Sequence, residues 1–529
     1  MSKSLHKPCE NGRSFNVDVR RLEKRSVIYL IAWLGVFAVA AILRFDDLES
    51  RPVHCDEATG ARLLAKRMET GRAQFDPTHF HGPLQSLMAE PVCRLRGETT
   101  WPSLTRTTLR LVPASVGLVT VMLPLLWRRR FGDAPMLLAG GMLAVSPLLV
   151  YYSRMFIHET LLGCAGLLAL MALISRPRYG LPGIFLAVLF AAKESVVITL
   201  IAWICAAVAL AVWNRRAFDS QWLLTAWRAH RWNALGSLAA FVVVSAAFYS
   251  DGFRNLRGIS DAVRTFFIYK TGEGHDQPFL HYLQLLLWPR KSAGIWWYGT
   301  PVALLAAVAV ARAFLTRSMR PGTRLTVQFI ALGTAAHFVG YGLIAYKTPW
   351  LMVFPWIQVC ILAGFSVVDW NLPIRRTASV ALALTIAFAA VSQFRQTRFA
   401  NGRLASDERN PFAYVPTRRN IESVGPWLEK VAAVAPGKSV EPIAVIGTGY
   451  WPLPWYLRQF HTIGYWTEPP SDLARFPIVF AVPEAESAVT ANLTSTHTPL
   501  PRGLRANVAV TLYVRNDIWQ AWTQADRRP

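Results

Sequence analysis

Eleven apolar segments of near-membrane length constrain this chain more than any other feature. They lie at about 27-43, 108-127, 134-152, 159-174, 181-192, 195-213, 234-249, 299-315, 324-345, 350-368 and 378-394. A hydrocarbon core of roughly 30 Å takes about 20 helical residues, and backbone in lipid must satisfy its own hydrogen bonds, so these segments read as membrane helices. Composition agrees, since 53% of the 529 residues are hydrophobic and 17% charged, where a soluble domain carries about 25% charged. An ordinary water-soluble globule is excluded.

The first segment follows Arg20, Arg21, Lys24 and Arg25. It is too long for a signal peptide and lacks a small-residue cleavage site, so it reads as an anchor with residues 1-26 cytoplasmic. Counting crossings from there puts Arg128 to Arg130, Arg176 and Arg178, and Arg215, Arg216, Arg228 and Arg231 on the cytoplasmic side. Arg317, Arg320 and Arg324, and then Arg375 and Arg376, join them there, as the positive-inside rule requires. The net charge of +24 is therefore a topology signal, and no nucleic-acid partner is expected. The cell inner membrane is the expected location.

The stretch 181-213 is broken only by Lys193 and Glu194. It reads as two helices, because one would place every later arginine cluster outside. The first would span only about 18 Å at 1.5 Å per residue, which implies a cavity cut into the membrane or local thinning. Gln221 to Trp232 sets Trp222, Leu223 and Trp227 against Arg228 and Arg231, the pattern of an amphipathic helix on the cytoplasmic surface. The expected architecture is an α-helical polytopic membrane domain over 27-398 with a large first outer loop, 44-107. An extracytoplasmic α/β domain over 399-529 follows, with strands at Ile443 to Ile446, Pro477 to Phe480 and Val508 to Leu512 and helix near 418-434. Cys55 and Cys93 share the first outer loop, where the compartment permits a disulfide.

With topology set, unusual polar residues fall on the outer side. They are His54 to Glu57, His79 and His81, Tyr151 to Glu159 with Arg154 and His158, Lys193 and Glu194, Lys270 in a fourth loop, and Lys347 in a fifth. Charges at span ends need partners or water, so five such loops imply an outward-facing polar cavity. Asp56 and Glu57 suit general-base activation of an acceptor; Arg154, Lys193 and Lys347 suit a phosphate-bearing donor. His79 and His81 suit a divalent metal, the one cofactor the residues suggest. The structural alternatives are an N-cap for Asp56, dipole support for Glu57, and hydrogen-bonded loop histidines. Tyr450-Trp451 and Trp455-Tyr456 form an aromatic cluster suited to carbohydrate or protein contact, or to a core.

These motifs resemble the type C membrane glycosyltransferases, which use polyprenyl-phosphate sugars and include protein O-mannosyltransferases and aminoarabinose lipid A transferases. The resemblance rests on Asp56-Glu57, His81-Gly82-Pro83-Leu84, Ser153-Arg154 with Glu159, and Lys193. The chain is similar in finer detail to a family of flippase-associated proteins, through His54-x-Asp56-Glu57, His81-Gly82-Pro83, Ser153 to Glu159 and Lys347-Thr348-Pro349-Trp350-Leu351. Trp451 to Leu457 adds to that likeness. The resemblance implies a fold of about 11 to 13 transmembrane helices. It also implies that Asp56 is the catalytic base, that Glu57 supports it or binds acceptor, that Arg154 and Lys193 contact the lipid phosphate, and that Glu159 lies near the site. His81, His158, Glu159, Glu194 and Lys270 are then the candidates for acceptor or sugar binding. The expected activity is sugar transfer from a polyprenyl-phosphate donor to an extracytoplasmic glycan, lipid or protein. A lipid-sugar flippase and a noncatalytic assembly subunit are the alternatives.

Overall fold

Each of the eleven apolar segments folds as a helix or as a pair of helices in series. The computed structural model describes residues 12-72, 75-78, 81-175, 180-213, 220-268, 276-369, 376-434 and 439-526. Arg176, Arg178, Arg215, Arg216 and Arg375 lie outside the described residues. The helices run α1 (Gly12–Phe45), α2 (Cys55–Thr70), α3 (Leu84–Leu95), α4 (Arg106–Met122), α5 (Pro124–Phe131), α6 (Asp133–Val145), α7 (Pro147–Ser153), α8 (Glu159–Ile174), α9 (Leu181–Ala192), α10 (Val196–Trp213), α11 (Ser220–Tyr249), α12 (Arg257–Ile268) and α13 (His281–Leu286). A hairpin of β1 (Arg290–Ser292) and β2 (Ile295–Trp297) leads into α14 (Thr300–Leu315), α15 (Pro321–Leu343), α16 (Val353–Phe365) and α17 (Arg376–Asn401).

Among the described residues, five helices are long and apolar enough to cross a membrane unaided, or six if the bent pair α6–α7 counts as one span. The chain is a multi-pass membrane protein. Three expectations change. The segment 134-152 is not one rod but bends by 61°, because Pro147 supplies no N–H and holds Ser146 extended. Residues 221-232 are not a separate surface helix, since they continue into the span as the first turns of α11. Cys55 and Cys93 are both free thiols. Gly60 packs by Gln85 and Arg67 pairs with Glu90, so Cys93 lies beyond the end of α2 while Cys55 begins it.

Lys193 to Ser195 do separate two helices. α9 packs between α8 and α11, whereas α10 packs on α15. Gly183 lets α9 touch α11, where a Cβ would meet the Ser237 carbonyl oxygen at 1.8 Å. The arginine-bearing ends are tied to one another, with Arg130 donating to the Ile174 carbonyl at 2.7 Å and Arg312 to that of Ser366 at 2.9 Å. Described parts of the first loop meet residues 157-159, 193-195 and 344-351 around one cavity, and the C-terminal domain rests on the first loop.

That domain holds α18 (Val424–Val434), β3 (Ile443–Ile446), α19 (Leu453–Tyr456), β4 (Ile463–Trp466), β5 (Ile478–Ala481), α20 (Glu486–Leu493), β6 (His497–Arg505), β7 (Val508–Arg515) and α21 (Asn516–Asp526). Its sheet order is β4-β3-β5-β7-β6, parallel for β4-β3-β5 and antiparallel thereafter. The three expected strands are present, joined by β4 and β6, while residues 399-401 still belong to α17. The domain is clamped to the first loop: Val53 N–H donates to the Tyr456 hydroxyl at 2.9 Å, Thr417 hydroxyl to the Val53 carbonyl at 2.7 Å, and Arg106 pairs with Glu422.

Candidate active site

The site is built on the first turn of α2. His54 caps that helix, its Nδ1 accepting the Asp56 N–H at 3.2 Å, while Glu57 Oε2 accepts the His54 N–H at 3.0 Å. This is a reciprocal capping box with histidine in the usual Ser/Thr place. The cap is therefore His54 and not Asp56, whose carboxylate accepts the Cys55 thiol at 3.6 Å and has His54 Nδ1 at 3.7 Å. The Asp56 side chain is 51% exposed and lines a cavity of about 1090 Å³.

Glu57, one residue on, points elsewhere, as adjacent helical residues must. It is buried and gripped by Arg110, with Nε to Oε1 and Nη2 to Oε2 both at 2.8 Å, and its Oε1 also accepts the Phe156 N–H at 2.9 Å. Burial would raise this carboxyl, but the charge and hydrogen bonds of Arg110, the Arg51 charge and the Phe156 amide outweigh it and hold it at about 2. Glu57 fastens α2, α4 and the turn before α8 together, away from the cavity.

Two of the expected phosphate-binding cations also turn away. Arg154 donates to the carbonyls of Leu43 at 3.0 Å and Asp47 at 2.8 Å, closing the end of α1. Lys347 donates to the Ile344 carbonyl. Ile344, Tyr346, Thr348 and Trp350 all line the cavity, so Lys347 falls on the opposite phase of an extended segment whose side chains alternate. The third cation, Lys193, does line the cavity, with Nζ 2.7 Å from Glu159 Oε1. Burial would lower its ammonium, but Glu159 and Glu194 overcome that and raise it.

His81, His158, Glu159 and Glu194 join Lys193 on the same wall. His81 Nδ1 lies 2.9 Å from Glu194 Oε2, and its ring meets His158 edge-on with centroids 5.2 Å apart. Gly82 makes this possible, because a Cβ there would stand 2.1 Å from the Ala191 carbonyl oxygen. The loop that carries His81 thus rests directly on the end of α9. Burial would raise the Glu194 carboxyl, but His81 and Lys193 bring it down to about 2. Burial, then His81 and Lys193, push the His158 ring well below its ordinary range, and its Nδ1 has no hydrogen-bond partner among the described residues. His79 and Lys270 lie outside the described residues.

The sequence reading missed Lys66 and Arg67, which also line the cavity. The signal was present, since Asp56, Gly60, Leu63, Arg67 and Thr70 recur at helical spacing and share one face of α2. Among the described residues, His54, Cys55 and Asp56 bring possible metal ligands within 4.8 Å of one another. They do not suit a metal. His54 Nδ1 already accepts an N–H, and its Nε2 faces the Tyr414 carbonyl at 3.1 Å. Burial, then the Asp56 charge, push the Cys55 thiol well above its ordinary range.

ArnT from Cupriavidus metallidurans in the apo state superposes with a TM-score of 0.63 at 15% identity, covering 91% of this chain and 98% of that one. The chain has the ArnT fold. ArnT bound to undecaprenyl phosphate matches with a TM-score of 0.58 over 92% of this chain and 98% of its own, again at 15% identity. The archaeal oligosaccharyltransferase AglB from Archaeoglobus fulgidus, in complex with an inhibitory peptide and a dolichol-phosphate, gives 0.51 at 12% identity over 94% of this chain and 77% of its own. No family model matches the chain, and no curated protein matches it in sequence. That fold agrees with the architecture expected from the sequence, a polytopic helical membrane domain followed by an α/β domain.

Proposed function

We propose that this protein is an integral-membrane glycosyltransferase that moves a sugar from a polyprenyl-phosphate donor to an extracytoplasmic acceptor. The observation that carries the reading is the half-exposed Asp56 carboxylate in the same large cavity as Lys193, within a fold shared with ArnT. ArnT has been seen with undecaprenyl phosphate and AglB with a dolichol-phosphate, which supports the donor class. The chain is oriented with its N-terminus cytoplasmic and the cavity and C-terminal domain outside, in the cell inner membrane.

In the proposed step an acceptor oxygen or nitrogen bonds to the anomeric carbon of the donor sugar. The bond from that carbon to the phosphate oxygen breaks, and its electron pair departs on the polyprenyl phosphate. The acceptor proton passes to Asp56, a role worth about 10²–10⁴ in rate. Lys193 offers its remaining N–H groups to the phosphate as charge develops there. A single displacement inverts the anomeric carbon. His158 and the His81–Glu194 pair hold sugar or acceptor hydroxyls, while Glu57, Arg154 and Lys347 position the loops.

The charged groups Asp56, Lys193, Glu159 and Glu194 share one cavity. His337, an ionisable residue within α15, is bonded to the Gly333 carbonyl at 2.7 Å and to Thr199 at 3.2 Å, which favours helix packing over a transport pathway. The test uses purified protein in nanodiscs with a radiolabelled polyprenyl-phosphate sugar and a membrane extract as acceptor. Asp56→Asn is expected to lose about 10²–10⁴ in transfer rate while still binding donor. Equal rates for variant and parent would remove Asp56 as the base. Donor movement across a vesicle bilayer with no transfer would replace the transferase by a flippase.

A further inference from the structure

The aromatic cluster of the C-terminal domain divides in two. Trp455 and Tyr456 are buried and belong to the core that clamps the first loop. Tyr450, partly buried against that core, and Tyr465 form a stepped shelf at the carboxyl ends of β3 and β4, each covering part of the other's face, with ring centroids 4.9 Å apart and planes 37° from parallel. Tyr465 is 40% exposed. Trp451 continues the shelf, 6.2 Å from Tyr450 and 29° from parallel.

The chain passes from β3 out to β4 and then back across to β5, so the crevice that takes ligands in sheets of this kind lies at the carboxyl ends of β3 and β5, beside Tyr450 and not over β4. In nucleotide-binding sheets, backbone N–H groups of the first loop hold a phosphate. Here those groups are taken: Thr448 and Gly449 N–H both donate to Glu484 Oε1 at 3.0 Å, joined by the Thr448 hydroxyl at 3.1 Å. An internal carboxylate in that place repels a phosphate. What remains is aromatic ring surface flanked by a carboxylate and by the Arg505 guanidinium, which donates to the Gly449 carbonyl at 2.8 Å. Flat apolar faces beside planar polar groups suit a pyranose ring, with its C–H face on the rings and its hydroxyls at the edge.

The segment that carries Arg505 is tied to the start of α2, outside the wall of the cavity. Arg505 pairs across to Thr417, whose hydroxyl holds the Val53 carbonyl just ahead of His54, and its charge reaches Cys55. Arg62 on α2 lies within electrostatic reach of Tyr465. Asp56 precedes Arg62 by six residues, about 9 Å along the helix, a distance greater than one sugar ring.

We propose that Tyr450 and Tyr465, flanked by Arg505 and Glu484, form the platform for a glycan acceptor, holding its chain a sugar or more from the unit presented to Asp56. This deepens the transferase reading and rests on it. The alternative occupant, a peptide added to the β4 edge, is less well served, because that strand has four residues and presents ring faces rather than pockets.

The test uses the full chain in nanodiscs. Binding of chitohexaose, mannohexaose and maltohexaose, and of a Ser/Thr-rich peptide, is followed by calorimetry for the parent, Tyr465→Ala, Tyr450→Ala and Tyr465→Phe. At least one oligosaccharide is expected to bind, with affinity falling about tenfold or more in the alanine variants, as for other aromatic anchors. Tyr465→Phe, which keeps the ring, is expected to bind as the parent does. In the transfer assay the alanine variants should raise KM for glycan acceptor and leave kcat unchanged. Oligosaccharide binding indifferent to both alanine substitutions, or binding of the peptide and of no oligosaccharide, would overturn the platform. Ring-dependent oligosaccharide binding by a protein that transfers nothing upholds the platform and overturns the transferase reading instead.

Discussion

Two buried ion pairs join the loops of this protein, and they differ in what is left over. Glu57–Arg110 has side chains 2% exposed on each side, and Glu159–Lys193 has 5% and 7%. Area does not separate them; saturation does. Arg110 also donates to the carbonyls of Leu48 at 2.7 Å, Arg51 at 2.9 Å and Pro52 at 3.2 Å, and Glu57 accepts two backbone amides. Lys193 Nζ has Glu159 as its one partner among the described residues, although an ammonium carries three donors. The first pair is a joint. The second keeps capacity for another oxygen, and it faces the cavity.

The largest effect should come from breaking the joint. Arg110→Met leaves Glu57 buried without its counter-charge, which costs about 3–5 kcal/mol, and a thermal melt in detergent should show that loss together with release of the C-terminal domain to protease. Lys193→Met should behave differently, because Glu159 beside the cavity can take up water. Its melting temperature should fall less than that of Arg110→Met, while kcat/KM for donor falls by about 10²–10³. Equal destabilisation by both substitutions, with no kinetic deficit specific to Lys193→Met, would erase the distinction between joint and site.

Gly82→Ala drives a methyl group against the Ala191 carbonyl, and overpacking of that sort costs about 1–3 kcal/mol. It should separate His81 from Glu194 and weaken acceptor use while donor binding survives, a split that steady-state kinetics with each substrate varied would reveal. The mildest test is acid. Glu57 and Glu194 are both depressed from 4.5 to about 2 in the folded chain. Over that range the unfolded chain binds more protons, so their stabilisation is complete above 4.5 and drains away as pH falls toward 2. Melts across this window should show stability falling with pH, and Glu194→Gln should flatten part of the slope while leaving the Glu57 share.

The comparison also explains what the sequence could convey. The positions of the apolar helices, the break at Lys193 and the three strands of strongest apolar character were readable, because each rests on local composition. Facing was not. Glu57 and Lys347 belong to the right loops, yet each sits one residue out of phase with a neighbour that lines the cavity, Asp56 on a helix and Thr348 on an extended segment. Arg154 ends a helix and turns back on α1. Such one-residue distinctions depend on where a helix begins, and α2 begins at Cys55 because His54, an uncommon cap, holds it there. Strand β6 escaped notice because Pro499 and Pro501 interrupt its pattern, which an edge position tolerates.

The Glu57 joint has a temporal side as well. Its partners lie 53 residues downstream at Arg110 and 99 downstream at Phe156, and the Tyr456 hydroxyl that receives the Val53 N–H is 403 residues away. A nascent chain emerging in order makes Asp56 early but gains the means to aim it only as later helices are inserted. The last of these restraints arrives with the C-terminal domain, so the Asp56 carboxylate is set only after the membrane helices have been made, and chains halted before that domain lack the Tyr456 clamp.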